Sequence, residues 1–350
     1  MEAISYKCPN CGADLKFDPS TQKYTCEYCA SSFDEAQLEQ ANPNAAKKAE
    51  ASAENQQKEA FEALVYSCPS CGAEIVADET TAATFCYYCH NPVVLQGKLT
   101  GEYAPDQIIP FAIDRKKAVD SFLAYVKKKK FVPKGFFNKD QIEKISGVYF
   151  PFWVYSCETD YAMQGDASMI RVHTHGDEEI TETSVFHVER QATIDFDQFL
   201  KNALESQNRR LVEAVQPFEV EKARPFAMGY LSGFQAQKRN IEKAAAAPEF
   251  RKEAEEHAKQ MVNITLSQYQ RVQTTQEKSA VRNEHWKYLL LPAWVVTYRG
   301  GDGETYYYAM NGQTGKVAGI LPISRGRMLQ FFASIAIPLF VIFLIVGYMI

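Results

Sequence analysis

The chain has 350 residues, 46% apolar and 13% aromatic, which is enough for packed cores in two or three domains. With 38 Lys and Arg against 43 Asp and Glu, the net charge is −5. That balance excludes the broad positive surface on which default nucleic-acid binding rests.

Two four-cysteine clusters open the chain. Cys8, Cys11, Cys26 and Cys29 read C-x2-C-x14-C-x2-C, and Cys68, Cys71, Cys86 and Cys89 repeat the pattern sixty residues on. Each set fits a tetrahedral Zn(Cys)4 site in which two short knuckles supply two thiolates each. The neighbours repeat as well: Cys8-Pro9-Asn10-Cys11-Gly12-Ala13 matches Cys68-Pro69-Ser70-Cys71-Gly72-Ala73. Gly12 and Gly72 stand where a chain bending round a metal needs a backbone that glycine adopts cheaply. Disulfides are the competing use of paired cysteines. Met1-Glu2-Ala3-Ile4 lacks the basic start and long apolar core of a signal peptide, so a reducing compartment and free thiols are expected. Iron is the other metal that accepts four sulfurs. A closed four-thiolate site is structural, so the expected cofactor is Zn2+ at two structural sites, and two such sites would bring the charge to roughly −9. The clusters resemble the zinc-ribbon (rubredoxin-like) class, whose relatives occur in transcription factor IIB and at the edges of helicases and polymerases. That resemblance covers residues 5–34 and 66–97.

The spacing sets expected boundaries: zinc ribbon 1 over 1–34, a linker over 35–65, zinc ribbon 2 over 66–98, an α+β domain over 99–325 and a transmembrane anchor over 326–350. The linker is rich in Ala, Glu, Gln and Lys and reads as an exposed helix or a flexible tether. In the α+β domain, Ala118, Phe122, Tyr125 and Val126 recur at helical spacing and face a core. Val148 to Tyr155 and Leu290 to Val296 are β-rich runs sharing P-x-W-V. Tyr161-Ala162-Met163-Gln164-Gly165 and Tyr308-Ala309-Met310-Asn311-Gly312 then read as the hairpin partners of two related units. Phe199, Leu200, Leu204, Leu211 and Val215 suggest one helix, and residues 235–268 a longer charged helix interrupted near Pro248. The expected fold is multi-domain: two small β zinc ribbons, an α+β domain with an antiparallel sheet, and one C-terminal transmembrane helix.

Leu329 to Ile350 holds 22 residues without a charge. As a helix it spans about 33 Å, enough for a bilayer core, with a tolerated kink at Pro338. Arg325 and Arg327 precede it, which by the positive-inside rule puts the N-terminal bulk in the cytoplasm of a single-pass, tail-anchored membrane protein. The N-G-Q-T-G-K-V-x-G run at Asn311 to Gly319, after the Leu291-Pro292-Ala293-Trp294 strand, is similar to endings found in uncharacterised bacterial membrane proteins with N-terminal zinc ribbons. That resemblance covers most of the chain and brings no settled activity.

Catalytic signatures are missing from the sequence. There is no phosphate-binding G-x-x-x-x-G-K-[ST] loop and no H-E-x-x-H, and Gly229-Tyr230-Leu231-Ser232-Gly233 misplaces the serine for a nucleophile elbow and reads as a turn. His173 and His175 would share one face of a strand as a metal pair or sit in a solvated loop. His90 beside Cys89 reads as surface, His187, His257 and His285 are isolated, and Cys157 reads as a small buried residue. Ribbon 1 balances Lys7, Lys16 and Lys23 against Asp14, Asp18, Glu27 and Asp34, and ribbon 2 has no Lys or Arg from Ser67 to Gly97. Lys127 to Lys130, followed by Phe131, Lys134, Phe136 and Phe137, suits either an anionic membrane face or a solvated helix end. The expected function is a non-enzymatic, membrane-tethered zinc protein acting as a cytoplasmic adaptor for an unknown protein partner. The alternative is a membrane-associated regulator whose ribbons bind nucleic acid.

Overall fold

The computed structural model describes residues 3–4, 6–41, 64–67, 74–77, 81–85, 92–95, 103–133, 145–176, 178–205, 209–299 and 305–349. Cys68, Cys71, Cys86, Cys89, His90 and most of the linker lie outside them. The chain divides into two compact units. One comprises Met1–Pro151, Leu204–Arg239 and Leu290–Ile350, and the other Phe152–Ala203 and Asn240–Leu289. The architecture is α+β and rich in antiparallel sheet.

The first unit opens with β1 (Ala3–Ile4), β2 (Leu15–Asp18), β3 (Lys23–Cys26), β4 (Ser32–Phe33) and the short helix α1 (Glu35–Ala41). β2, β3 and β4 form a three-stranded antiparallel sheet with Leu15 opposite Cys26 and Tyr24 opposite Phe33. An isolated bridge joins Lys7 to Asp14. Four more strands follow: β5 (Leu64–Ser67), β6 (Glu74–Ala77), β7 (Thr81–Phe85) and β8 (Pro92–Leu95). Two of their registers match those of the first four strands sixty residues on. Ser67 pairs Glu74 as Lys7 pairs Asp14, and Thr84 pairs Val93 as Tyr24 pairs Phe33. β1 pairs back onto β8.

Next come β9 (Gln107–Ile108) and α2 (Arg115–Lys127), a helix capped by the Asp114 carboxylate on the Lys117 amide at 2.8 Å. Its buried residues are Ala118, Phe122 and Val126, as the helical spacing predicts. The long strand β10 (Ser146–His175) follows, then β11 (Glu178–Asn202), the one-turn helix α3 (Arg209–Ala214), β12 (Arg224–Pro225), β13 (Gln235–Gln237), α4 (Lys243–Ile264), β14 (Arg271–Arg299), β15 (Thr305–Asn311), β16 (Val317–Ile320) and α5 (Arg325–Met349). Hydrogen-bonded neighbours run β1-β8-β7-β13-β10-β14-β15-β16, with β11 on β10 and β9 between β12 and β14.

Three sequence expectations change here. The long helix expected over 235–268 is shorter: Gln235–Gln237 is a strand, and the helix runs unbroken over Lys243–Ile264 with Pro248 inside it. Tyr161 to Gly165 is no hairpin partner of Val148 to Tyr155: both lie in β10, because Ser156-Cys157-Glu158-Thr159-Asp160 contains no Gly or Pro to turn the chain. The partner is β11, with Trp153 opposite Lys201 and a register shift between Tyr155 and Cys157. Phe199 and Leu200 therefore sit in a strand, and only Arg209–Ala214 is helical beyond them. The Leu290 to Val296 run does pair as expected, Trp294 facing Met310 across β14 and β15.

In the second unit, α4 lays Phe250, Ala254, Ala258 and Val262, at four-residue spacing, toward the sheet. Ala258, Val262 and Leu266 pack with Tyr161, Met163, Ala167 and Val188. Trp286 meets the rings of Tyr155 at 4.7 Å and Phe250 at 5.1 Å.

The core of the first unit is a row of aromatic rings that begins inside the first ribbon. Phe17 of β2 lies 5.5 Å from the Tyr24 ring and 5.2 Å edge-on to Tyr230, and it reaches Phe234 at 6.5 Å. Phe234 stacks on Phe111 at 4.3 Å, and Phe111 meets Trp294 at 5.1 Å. The backbone is stitched along the same line. The Phe17 amide donates to the Ser232 carbonyl at 2.9 Å, the Ser232 hydroxyl donates to the Leu15 carbonyl, and Gln22 Nε2 donates to the Phe111 carbonyl at 2.7 Å. The Tyr230 hydroxyl donates to Glu35 Oε2 at 2.9 Å.

Gly229 lies directly against this contact, where a Cβ would come within 2.7 Å of the Tyr24 hydroxyl oxygen. Gly229→Ala is therefore expected to destabilise the protein by about 1–3 kcal/mol through overpacking, read as a lowered midpoint of thermal unfolding. The buried Tyr24 hydroxyl has no hydrogen-bond partner among the described residues. Tyr24→Phe should consequently stay within about 1 kcal/mol of the parent. A Gly229→Ala protein as stable as the parent would show that the ribbon does not pack on this turn.

Candidate metal centre

Cys8 precedes a turn and Cys26 ends β3, so the strands bring one knuckle against the other. Both knuckles share one backbone pattern. The Gly12 amide donates to the Cys8 carbonyl at 2.8 Å and the Cys8 amide to Ala13 at 2.7 Å. The Ala30 amide donates to the Cys26 carbonyl and the Cys26 amide to Ser31, each at 2.9 Å. The residue after each second cysteine is left-handed: Gly12 at φ 76° and Ala30 at φ 57°. Glycine does this freely, whereas the alanine costs about 1–2 kcal/mol, so the knuckle is held against a local cost.

The four sulfurs lie within 4.8 Å of one another, the one group of this kind among the described residues. Cys8 Sγ is 3.6 Å from Cys29 Sγ, and Cys11 Sγ is 3.5 Å from Cys26 Sγ. Those separations are too long for a disulfide bond and close to the ~3.8 Å edge of a tetrahedron of sulfurs round an ion at about 2.3 Å. Cys8 and Cys26 are buried, and Cys11 and Cys29 are exposed. Four thiolates at one point can hold a metal ion.

Charge within the cluster is uneven. The Ser31 hydroxyl and amide, then the Cys11 thiol, hold Cys29 down to about 6. For Cys11 the Ala13 amide pulls downward, but desolvation and the three neighbouring sulfurs outweigh it and push the thiol up to about 12. Cys29 thus carries the first negative charge. Its sulfur lies 3.2 Å from Ser31 Oγ, and Asn10 Nδ2 donates to that oxygen at 2.8 Å, which turns the serine proton toward the sulfur. This Asn10–Ser31 support was not read from the sequence. Its signal was available: sixty residues on, the two residue types trade places as Ser70 and Asn91.

The other singled-out groups stay apart. His173 and His175 are exposed on β10, His173 standing 3.7 Å from Glu182, and they join no metal-binding group among the described residues. His187 faces Asp166 at 3.2 Å on the same hairpin. Cys157 is buried with its sulfur 3.8 Å from Thr159 Oγ1. Tyr28, between the ligands of the second knuckle, is 85% exposed. At the other end of the chain α5 is the one helix among the described residues long and apolar enough to cross a membrane, and its apolar stretch is uncovered.

These features define an α+β protein with a four-cysteine cluster that can hold a metal ion in its N-terminal part and, among the described residues, one membrane-length apolar helix in its C-terminal part. The chain is 32% identical over 333 residues to the uncharacterized protein YdjG of Bacillus subtilis (strain 168), covering 95% of this chain and 94% of that protein. It belongs to the YdjG family. No protein-family model matches the chain, and no solved structure matches it.

Removing the Ser31 hydroxyl should weaken metal binding about tenfold, as loss of a hydrogen bond behind a ligand commonly does. The pH dependence follows in sign. A thiol held down to about 6 stays ionised until the pH falls near that value, so at the Cys29 sulfur protons compete with metal only below it. Ser31→Ala raises that thiol, so metal release begins at higher pH. A chromophoric chelator titrated at stepped pH measures both quantities, and coincident parent and variant curves would remove the serine from the site.

Proposed function

We propose that this protein is a non-catalytic zinc protein tethered to a membrane by α5, and that its cytoplasmic part is a docking adaptor for another protein. One observation carries the adaptor reading: the turn end of the β10–β11 hairpin. The Gln270 amide donates to the Ser168 carbonyl at 3.0 Å just before β14 begins, and Gln270 Oε1 accepts from the Ile170 amide at 2.9 Å; beyond those bonds the two strands pair with each other. Ile170, Val172 and Val185 share one face there with Thr181 and Thr183, and the three apolar residues are 42%, 53% and 68% exposed. A bare two-stranded ribbon is marginal in water, and a row of exposed branched apolar side chains is the surface a protein partner covers.

The metal reading rests on chemistry. Four soft thiolates in a tetrahedron suit zinc, and a set with no open position supports structure instead of catalysis. A second zinc at Cys68, Cys71, Cys86 and Cys89 is supported by the identical spacing, by the repeated strand registers flanking it and by the Asn–Ser exchange. Free thiols and the Arg325 and Arg327 pair before the apolar helix both favour the cytoplasmic side. Nucleic acid is the weaker partner, because Lys7 and Lys16 of the first ribbon are paired with Asp14 and Glu27, each at 2.7 Å.

Elemental analysis of the full-length protein should find two zinc ions per chain, falling to one in a Cys68→Ser, Cys71→Ser variant. One ion in the parent protein would end the second-site reading. A photo-crosslinker at Val172 or Val185, in native membranes, should join one protein of defined size, and a crosslinker at exposed Glu256 should not. A nuclease-sensitive product, or equal products from all three positions, would overturn the adaptor.

A further inference from the structure

The first turn of α5 carries the wrong charge for its place. The start of a helix is the positive end of its dipole and favours carboxylates, yet Arg325 and Arg327 stand there with no acid. More positive charge is packed against the same turn. The Ser324 amide donates to the Phe131 carbonyl at 2.7 Å, and Arg327 Nη1 donates to the Val132 carbonyl. The Phe131 ring meets Phe331 edge-on at 5.4 Å. These contacts bring the lysine run at the end of α2 to the start of α5. Lys130 Nζ lies 5.3 Å over the Phe331 ring, and Lys129 Nζ 5.0 Å over Tyr125.

Lys127, Lys128, Lys129, Lys130 and Arg325 are exposed and Arg327 is half-buried, while residues 123–133 and 321–350 contain no Asp or Glu. A chain of net charge −5 has thus collected six cations at one place. The C-terminal end of α2 accounts for one of them, since Lys127 in its last turn complements that dipole. It does not account for two arginines at the opposite, positive pole of another helix. An anion at the start of α5 would meet the gathered cations and the positive end of that helix together. The position names its source: Phe331 is only two residues past Leu329, where the apolar run begins, so the ammonium over its ring stands where the hydrocarbon gives way to headgroups.

We propose that Lys127 to Lys130, Arg325 and Arg327 form a binding surface for the phosphate-bearing headgroups of anionic phospholipids around α5. The inference rests on the reading of α5 as a membrane span. The flanking rings serve as interfacial anchors, and each lysine at an anionic surface adds up to about a fivefold preference.

The test uses the full-length protein reconstituted in nanodiscs of equal phosphatidylglycerol and phosphatidylcholine, with co-purifying lipids counted by native mass spectrometry. The parent should hold phosphatidylglycerol about threefold or more above its bulk share. The Lys127→Gln, Lys128→Gln, Lys129→Gln, Lys130→Gln variant should fall to the bulk ratio. A matched variant at the exposed lysines Lys116, Lys252, Lys278 and Lys287 should keep the enrichment, and millimolar inorganic phosphate should not displace the lipid. A bulk ratio in the parent, or enrichment surviving the Lys127–Lys130 changes, overturns the surface while leaving the span intact. Recovery of the protein outside the discs overturns the span and the surface together.

Discussion

The structure depends on a small module that borrows its core. Some thirty residues cannot bury enough apolar surface to stay folded alone, and the first ribbon has two remedies. Four sulfurs close one end round a point where an ion fits. At the other end Phe17 and Tyr24, nearly inaccessible to solvent, continue into Tyr230, Phe234 and Phe111. Each such ring buries about 150–250 Å², so the aromatic row is a major source of cohesion for this unit. Because Ser232 bonds Leu15 and Phe17, the strands carrying the ligands and the turn at Gly229 order one another. Loss of metal would therefore be felt in the shared core as well as at the sulfurs.

That coupling gives the closed site a purpose beyond scaffolding a peptide. Leu15 pairs Cys26 directly, and Phe17 lies two residues along on the same face. Shifting β2 against β3 by one residue would expose both Leu15 and Phe17 and carry Cys26 away from its partners. The ligand set and the aromatic row thus specify the same register from opposite ends, which is the agreement between local and long-range preferences that a single native state requires.

The cluster of Cys8, Cys11, Cys26 and Cys29 was legible because thiolate chemistry is local: two residues between cysteines is a reach, and the strand between the pairs only has to return. α2 was legible because Ala118, Phe122 and Val126 are buried at helical spacing. β10 and β11 were not, and the reason is physical. From Tyr155 to Ala167 every second residue is buried, but the alternate positions hold Glu158, Asp160 and Gln164, and the turn end is exposed on both faces. Strands of 30 and 25 residues are held by each other and by α4, information that no short window contains. Phe199, Leu200 and Leu204 mimicked helical spacing because β11 ends between them. The Ser31 and Asn10 support was missed for a different cause: polar residues in knuckles are ordinary, and although the exchange to Ser70 and Asn91 marks the pair, only the distances show that Ser31 faces a sulfur.

The C-terminal helix leaves the same aromatic-cored unit without a free linker. Ser324 caps it, the Met328 amide donating to its carbonyl at 3.0 Å and the Arg327 amide to its hydroxyl at 3.4 Å, while the Ser324 amide itself is held by Phe131. A roughly 37 Å helix of 25 residues exceeds a hydrocarbon core of about 30 Å, so across a bilayer its first turn would fall in the headgroup layer. Tyr125 ties α2 to the Gly319 carbonyl at 2.9 Å, in the last strand before the helix. With four bonds fixing where α5 begins, a bilayer would act on this unit as a fixed plane and not as a distant tether.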